Sequence, residues 1–546
     1  MSFLQDAPHL AHPYRSDRLL LSLLDRVLPA KRRPALDADL DALGDYALMA
    51  WQRTGNSTRR KPVLTRWGAW GQRIDRIELT TAWQEGPHLT TRHAILAAGH
   101  ADHAHARLEE FARAYLYHVA SEFYTCPLAM TDGAATAIKA SGNGDLIKRV
   151  LPHFLSRDAS NFWLSGQWMT ETTGGSDVGN TETVARQDAD GQWRLHGRKW
   201  FSSAVVGEAA LALARPEGAG AGTSALALFY VETMDGEQRK PELVIDRLKD
   251  KLGTQELPTA EIHLDGLPAW PLGELAHGVR QVAPMLNITR TWNAIGAVAT
   301  MARAVSLARD FATRRQAFGR PLIEQPLHAQ TLADMQAQFE AAFALTFEVA
   351  HLLGRVEQAE ATAEEAAVLR LLTPLAKLWT GKLAVKICSE TLECFGGAGY
   401  IEDTGLPQLL RDAQVYAIWE GTTNVLSLDS LRALAGDSLG ALRTTAIRWL
   451  DGNDNMHAGS AIKQTLDAAA RWLDQHGNQR EAVEAGARGF AFTLARCAAA
   501  ALLARQATWS KHHGDRRAAA ALQRFVSRGL DRLVTPDGDN TRLLLS

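Results

Sequence analysis

The sequence predicts an α+β protein built from four consecutive parts. Three observations carry this. Apolar positions recur at three- and four-residue spacing through much of residues 1–160. Between Trp163 and Leu272 the pattern turns to period two, with many turn signals. From Gly278 onward long helical runs return. The expected organisation is an N-terminal helical domain (1–160), a middle small antiparallel β-barrel or sandwich (161–275), a C-terminal four-helix bundle (276–440) and an additional helical tail (441–546).

In the first part, 36–51 and 108–122 show the clearest helical spacing, with loops expected at 53–62 and at Pro87. His93, His100, His103 and His105 cluster here, but Asp102 and Glu109 complete no ligand pattern, so they read as surface or interhelical histidines. Pro127 suits the start of another helix. In the second part, 183–187, 193–196, 199–203, 209–214, 225–231 and 260–264 read as short strands. Asp190-Gly191 is a hairpin signal between the first two. In the third part, 282–309, 326–356, 361–394 and 423–434 are amphipathic helices joined by short links. The tail reads as helices over 461–475, 482–508 and 516–533.

Composition narrows the function classes. The 546 residues are 46% hydrophobic and 22% charged, with a net charge of −2, so nothing global points to nucleic acid or a membrane surface. The tail is an exception, with 15 Lys and Arg against 10 Asp and Glu over 441–546. Cys126, Cys388, Cys394 and Cys497 form no C-x-x-C, so neither a disulfide framework nor a zinc site is expected, and no metal. Residues 1–13 show no apolar core of a secretory leader, and Asp17 and Asp25 argue against a transit peptide in the Arg-rich 15–33. No run reads as long and apolar enough to span a bilayer. A cytoplasmic location follows as the expectation.

Five motifs carry chemistry. In 414–425, an apolar lead of ambiguous strand or helix character ends at Glu420, between Trp419 and Gly421, just before a leucine-periodic helix. A carboxylate beside an indole is partly desolvated and becomes a stronger base; alternatively it is a solvated or capping Glu. Met169-Thr170-Glu171-Thr172-Thr173-Gly174-Gly175-Ser176-Asp177 offers backbone N–H groups and hydroxyls to a polar cofactor, or is a plain Gly-rich hairpin loop. It is no G-x-G-x-x-G fingerprint. Lys199-Trp200-Phe201-Ser202-Ser203 is either core strand or a cover for a flat heteroaromatic ring. Arg314-Arg315-Gln316-Ala317-Phe318-Gly319-Arg320 is a solvated helix end or an anion site. Phe395-Gly396-Gly397-Ala398-Gly399-Tyr400 is a helix C-cap or a place of close backbone approach.

Together and in this order, the five motifs resemble those of the acyl-CoA dehydrogenase flavoproteins over about residues 120–435. The length, the tail, 247–253 and 318–323 resemble the AidB-like branch, flavoproteins of the bacterial adaptive response to alkylation damage, reported as tetrameric DNA binders with weak dehydrogenase activity. The resemblance implies FAD and an acyl-CoA substrate. It implies that Thr170 hydrogen-bonds the flavin ring and that Ser176 lies near the pyrophosphate or the thioester. Either Phe201 with Ser203, or Trp200 with Ser202, covers the isoalloxazine and approaches N5. Arg315 and the backbone of Gly396 and Gly397 reach the FAD of a neighbouring subunit, which implies at least a dimer and, for the branch, a homotetramer. Where the family often has glutamine this chain has Pro326, with Gln325 adjacent. Met169, Gly175, Phe318, Ile418, Trp419, Gly421, Thr422 and Asn424 complete the implied cofactor set.

Glu420 is implied to be the catalytic base, removing an α-proton while the β-hydride leaves to the flavin. Some relatives place the base on a bundle helix before an Arg; that position here is Thr289, before Arg290. Arg290 then either binds substrate or pairs with an acid. An electron-transfer flavoprotein is the implied acceptor. The alternative is an AidB-like protein that binds double-stranded DNA through a basic face of the tail: Arg443, Arg448, Arg471, Arg496, Arg505, Lys511, Arg516, Arg517, Arg524, Arg528 and Arg532.

Overall fold

The computed structural model describes residues 6–54 and 61–546. Residues 1–5, and 55–60 of the loop expected over 53–62, lie outside the described residues. In chain order, helices α1 (Arg18–Val27) and α2 (Arg33–Thr54) precede strands β1 (Val63–Trp67) and β2 (Arg73–Glu78), then α3 (Thr81–Arg92), α4 (Ala106–His118), α5 (Thr125–Ser141) and α6 (Gly144–Phe154). Strands β3 (Ser165–Trp168), β4 (Val184–Gln187), β5 (Trp193–Ser203), β6 (Ala209–Pro216), β7 (Ala227–Glu232), β8 (Met234–Asp235), β9 (Gln238–Arg239), β10 (Leu243–Leu248) and β11 (Thr259–Pro271) follow. The chain then forms α7 (Gly278–Gln281), α8 (Ala283–Arg314), the short strands β12 (Gln316–Ala317) and β13 (Arg320–Pro321), α9 (Pro326–Glu357), α10 (Ala363–Cys394), α11 (Leu406–Ala413) and α12 (Thr423–Ala433). Last come α13 (Ser438–Trp449), α14 (Met456–His476), α15 (Arg480–His512), α16 (Arg517–Ser527) and α17 (Gly538–Leu545). This is an N-terminal helical, middle β and C-terminal helical fold.

Two compact units partition these elements. One comprises Gln52–Ala101 and Tyr117–Trp292. At its centre β10, β11, β5, β4, β6 and β3 pair side by side, and β7 pairs with both β6 and β11, closing the strands into a barrel. Leu195, Phe229, Ile245, Ile262 and Leu264 fill it. The expected antiparallel order holds for most pairs, but β3 and β4 each run parallel to β6. The two segments expected at 193–196 and 199–203 form one strand. Gly197 joins them at φ +151, where a Cβ would lie 2.7 Å from the Thr183 Cα. The Asp190-Gly191 turn joins β4 to β5 as expected, with Gly191 at φ +86.

Two features of the first part differ from expectation. β1 and β2 form an antiparallel hairpin in a stretch read as helical. Its Arg73 donates to the Ile245 carbonyl (2.7 Å), and its Asp75 accepts from the Ile245 N–H (3.0 Å), so it is fastened to β10. Pro87 lies inside α3 rather than in a loop. Packing overrides its helix-breaking cost: buried Gly86 lets the Tyr124 ring approach to where a Cβ would be 2.5 Å away.

The other unit comprises Met1–Trp51, Asp102–Leu116 and Asn293–Ser546. Helices α9, α10 and α12 pack together, and α10 begins with a capping box between Thr362 and Glu365. The tail is part of this core: α15 packs on α9, α12, α13, α14 and α16. One correction concerns membranes. By length and composition α15 could cross a bilayer, with a mean hydropathy of 1.3 over its most apolar window. That window is 83% buried within the structure, which marks a core helix.

Candidate active site

In the barrel unit, 169–177 leaves β3 as a tight turn. Glu171 and Gly174 exchange backbone hydrogen bonds of 3.1 and 3.2 Å, which leaves Gly175 and Ser176 exposed. The Thr170 carbonyl accepts from the Trp200 N–H (2.9 Å), so the turn is fastened to the aromatic segment of β5. Glu171, unassigned by the sequence reading, is the latch between them. Its carboxylate accepts from Lys199 Nζ (2.6 Å), Thr183 Oγ1 (2.6 Å) and the Glu182 N–H (2.6 Å); Lys199 also donates to the Leu213 carbonyl. Burial pushes the Glu171 carboxyl up, but the Lys199 charge and these donors outweigh it and hold the group below its ordinary range. The presence of Glu171 and Lys199 in the two motifs was the available signal.

The register of β5 sets the exposure of its aromatic pair and of the two serines that follow. Ser202 pairs with Ala260 and Lys199 with Ile262, so β5 carries one extra residue here, a β-bulge. Lys199 and Ser202 are consequently both buried, while Trp200 is half-buried and Phe201 is 48% exposed. Phe201 and Ser203 share the outer face; Ser202 is turned inward, and its Oγ has no hydrogen-bond partner among the described residues. Ser203 Oγ lies 3.2 Å from Thr259 Oγ1. Lys249 Nζ sits 3.3 Å from the Trp200 ring centroid and 2.8 Å from Glu261. An exposed ring with the Ser203 hydroxyl on its own face of the strand, and an exposed Gly-Ser turn fastened to the neighbouring Trp200 N–H through Thr170, suits a flat heteroaromatic cofactor carrying a polar tail. In the same unit Thr289 is buried in α8 and Arg290 is half-buried beside it.

In the helical unit, the lead into Glu420 is a short 3-10 helix, Gln414–Ala417. The Ile418 and Trp419 N–H groups both donate to the Val415 carbonyl. The chain then turns through two left-handed residues, Glu420 at φ +55 and Gly421 at φ +101. Such a conformation costs a non-glycine residue roughly 1–2 kcal/mol, and strain of this kind gathers at functional sites. Glu420 and Trp419 are half-buried and Ile418 is 62% exposed. Thr422 opens α12 without a side-chain cap, and Asn424 Oδ1 accepts from Arg488 of α15 (3.1 Å). The loop sits on α10: Lys377 Nζ donates to the Gly421 carbonyl (2.6 Å).

The remaining motifs lie in the same unit. Half-buried Arg315 follows α8, and β12–β13 is a hairpin tipped by Phe318 (φ +52) and Gly319 (φ +81). Phe318 is 98% exposed. Gln325 Nε2 donates to the Ala317 carbonyl (2.8 Å) and braces that hairpin. The Gly396–Gly399 turn ends α10: Gly396 takes φ +58, and a Cβ on Gly399 would fall 2.0 Å from the Leu392 carbonyl oxygen.

Comparison with known proteins agrees with this arrangement. Residues 166–267 match the acyl-CoA dehydrogenase middle domain and 276–435 its C-terminal domain. Residues 7–159 match the N-terminal domain of the adaptive response protein AidB, and 451–541 the acyl-CoA dehydrogenase 11 C-terminal domain-like family. Acyl-CoA dehydrogenase family member 11 of Caenorhabditis elegans is 39% identical over 526 residues, 92% of this chain and 85% of that protein. The chain belongs to the acyl-CoA dehydrogenase family. With it comes the class of FAD-dependent acyl-CoA dehydrogenase oxidoreductases. The putative acyl-CoA dehydrogenase AidB of Escherichia coli is another relative, 35% identical over 68% of this chain and 69% of its own. The crystal structure of Caenorhabditis elegans ACDH-11 in complex with C11-CoA superposes with a TM-score of 0.93 at 36% identity, covering 100% of this chain and 96% of that one. The family resemblance read from the five motifs, and the AidB-like one read from the length, the tail, 247–253 and 318–323, are both borne out by these matches.

Proposed function

We propose that this acyl-CoA dehydrogenase family member removes the α-proton and β-hydride of an acyl-CoA thioester, with Glu420 as the base. The observation that carries this reading is Glu420 itself. It is a half-buried carboxylate in a left-handed turn on a loop seated against α10. The complex of the relative ACDH-11 with C11-CoA supports the substrate class. An α-proton is acidic enough only when the thioester carbonyl is polarised, a task for the Glu420 backbone N–H together with a cofactor hydroxyl. Thr170, Ser176, Phe201 and Ser203 would hold FAD in the barrel unit; Ser203 replaces Ser202 because the bulge turns Ser202 inward. FAD, when bound, supplies the hydride acceptor.

The reading includes at least a dimer, with Arg315 and the Gly396–Gly397 backbone serving the neighbouring subunit's cofactor, and an electron-transfer flavoprotein as partner. Four free cysteines suit a reducing cytoplasm. Six of the tail cations named for duplex binding are paired with carboxylates, which lowers the free positive charge of that face. Arg443 pairs with Asp467, Arg448 with Glu364, Arg505 with Glu348, Lys511 with Asp454, and Arg524 and Arg528 with Asp334.

Anaerobic titration with acyl-CoAs of graded chain length, followed at the visible band of the oxidised flavin, tests the proposal. Bleaching by one chain class is expected, slowed in Glu420→Gln by at least about 10²-fold. A yellow protein that no acyl-CoA bleaches would overturn it.

A further inference from the structure

The loop that carries Glu420 is pinned on both sides by groups the motifs do not contain. Upstream, the Tyr416 carbonyl accepts from Asn293 Nδ2 (3.2 Å), and the Tyr416 hydroxyl lies 2.7 Å from Thr300 Oγ1. The same carbonyl rests on Gly381 of α10, where a Cβ would lie 2.6 Å from the oxygen. Downstream, one helical turn before Gly381, Lys377 Nζ donates to the Gly421 carbonyl at 2.6 Å. Lys377 is 1% exposed. A buried ammonium is expensive, and an apolar residue would fill this position on a packed helix at no such cost. Its position explains the expense. Lys377 donates to the carbonyl immediately after Glu420, on the second of two successive left-handed residues.

We infer that Lys377 is a positioning residue for Glu420: its ammonium fastens the peptide that follows the base and keeps the loop in its left-handed turn. Gly381 is its complement on the same face of α10, giving the upstream carbonyl room to seat. The inference rests on the reading of Glu420 as the base. Without the Lys377 contact the Gly421 peptide is free to rotate, and the carboxylate leaves its productive alignment, although the surfaces that bind acyl-CoA are untouched.

The test uses the full-length FAD-loaded protein and a 3-thiaacyl-CoA in deuterated water. Sulfur at the β-position leaves no β-hydride to transfer, so exchange of the α-proton for deuterium reports the base alone. Lys377→Met is expected to lose about 10- to 100-fold in exchange rate and in kcat. KM should stay within about threefold of wild type. Lys377→Arg should recover most of the loss. If Lys377→Met does not fold, Lys377→Leu, which likewise removes both the donor and the charge, is measured instead. Exchange at the wild-type rate in the neutral variant overturns the inference. So does an equal loss in Lys377→Arg accompanied by a lowered melting temperature, which would mark a packing role. A wild type that exchanges no α-proton, or a Glu420→Gln that exchanges as fast as wild type, would sink the reading of Glu420. A normal wild type and silent Glu420→Gln beside unaffected Lys377 variants would sink this inference alone.

Discussion

His118 shows how strongly burial alone moves a titrating residue in this protein. It lies at the end of α4, 7% exposed, with Nδ1 2.7 Å from Thr125 Oγ1 and the ring edge-on to Phe123. Burial lowers its pKa from 6.5 to about 3. The folded chain therefore stays unprotonated where the unfolded chain takes up a proton. Stability falls as pH drops from about 6.5 toward 3, with a slope of up to about 1.4 kcal/mol per pH unit from this one group. Melting temperatures measured from pH 7 to pH 4 should fall less steeply in His118→Gln than in wild type; parallel curves would refute the assignment. His118 escaped the sequence reading because nothing local distinguishes a buried histidine from a surface one. Glu420 did not escape, because its neighbours Trp419, Gly421 and Thr422 are chemically distinctive in one dimension.

At the scale of elements, the latch between the 169–177 turn and β5 matters most. Glu171 and Lys199 are 4% and 0% exposed at their side chains. Removing one partner strands the other charge in the barrel, so Lys199→Met should destabilise by about 3–5 kcal/mol, whereas the double change Glu171→Gln with Lys199→Met should recover part of that loss. Urea unfolding of the single and double variants measures both. The double variant should also bind FAD more weakly, because Thr170 and Trp200 are joined through this same corner. The strand positions around the latch were legible from alternation and turn residues. Which of Trp200, Phe201, Ser202 and Ser203 face outward was not, because a bulge depends on which partner residue faces which, and that partner, β11, lies far along the chain. Pro87 and the β1–β2 hairpin were misread for the same reason: contacts with Tyr124 and with β10 outweigh local propensity.

For the molecule as a whole, the tail is the decisive element. In its own unit α15 buries Phe490, Leu494, Leu502 and Leu503 among α9, α12, α13, α14 and α16. Each such side chain contributes about 1.5–3 kcal/mol, so their sum rivals the net stability of a typical protein. A chain ending at Ala435 should accumulate poorly as soluble protein and melt well below the full-length form. A truncated protein with the wild-type melting temperature would show instead that the tail is an appended arm. The sequence by itself determined the order of helical and strand regions, the five motifs and, through them, the family, and it singled out Glu420 as the candidate base, because periodicity and short motifs are local properties. Only the tertiary structure decided that Glu171 and Lys199 form a latch and that Lys377 holds the Gly421 carbonyl. It also decided that the arginines of the tail are largely committed to carboxylates within the fold. Each of these is a pairing between residues distant in sequence, and such pairings exist only once the backbone has brought them within hydrogen-bond reach.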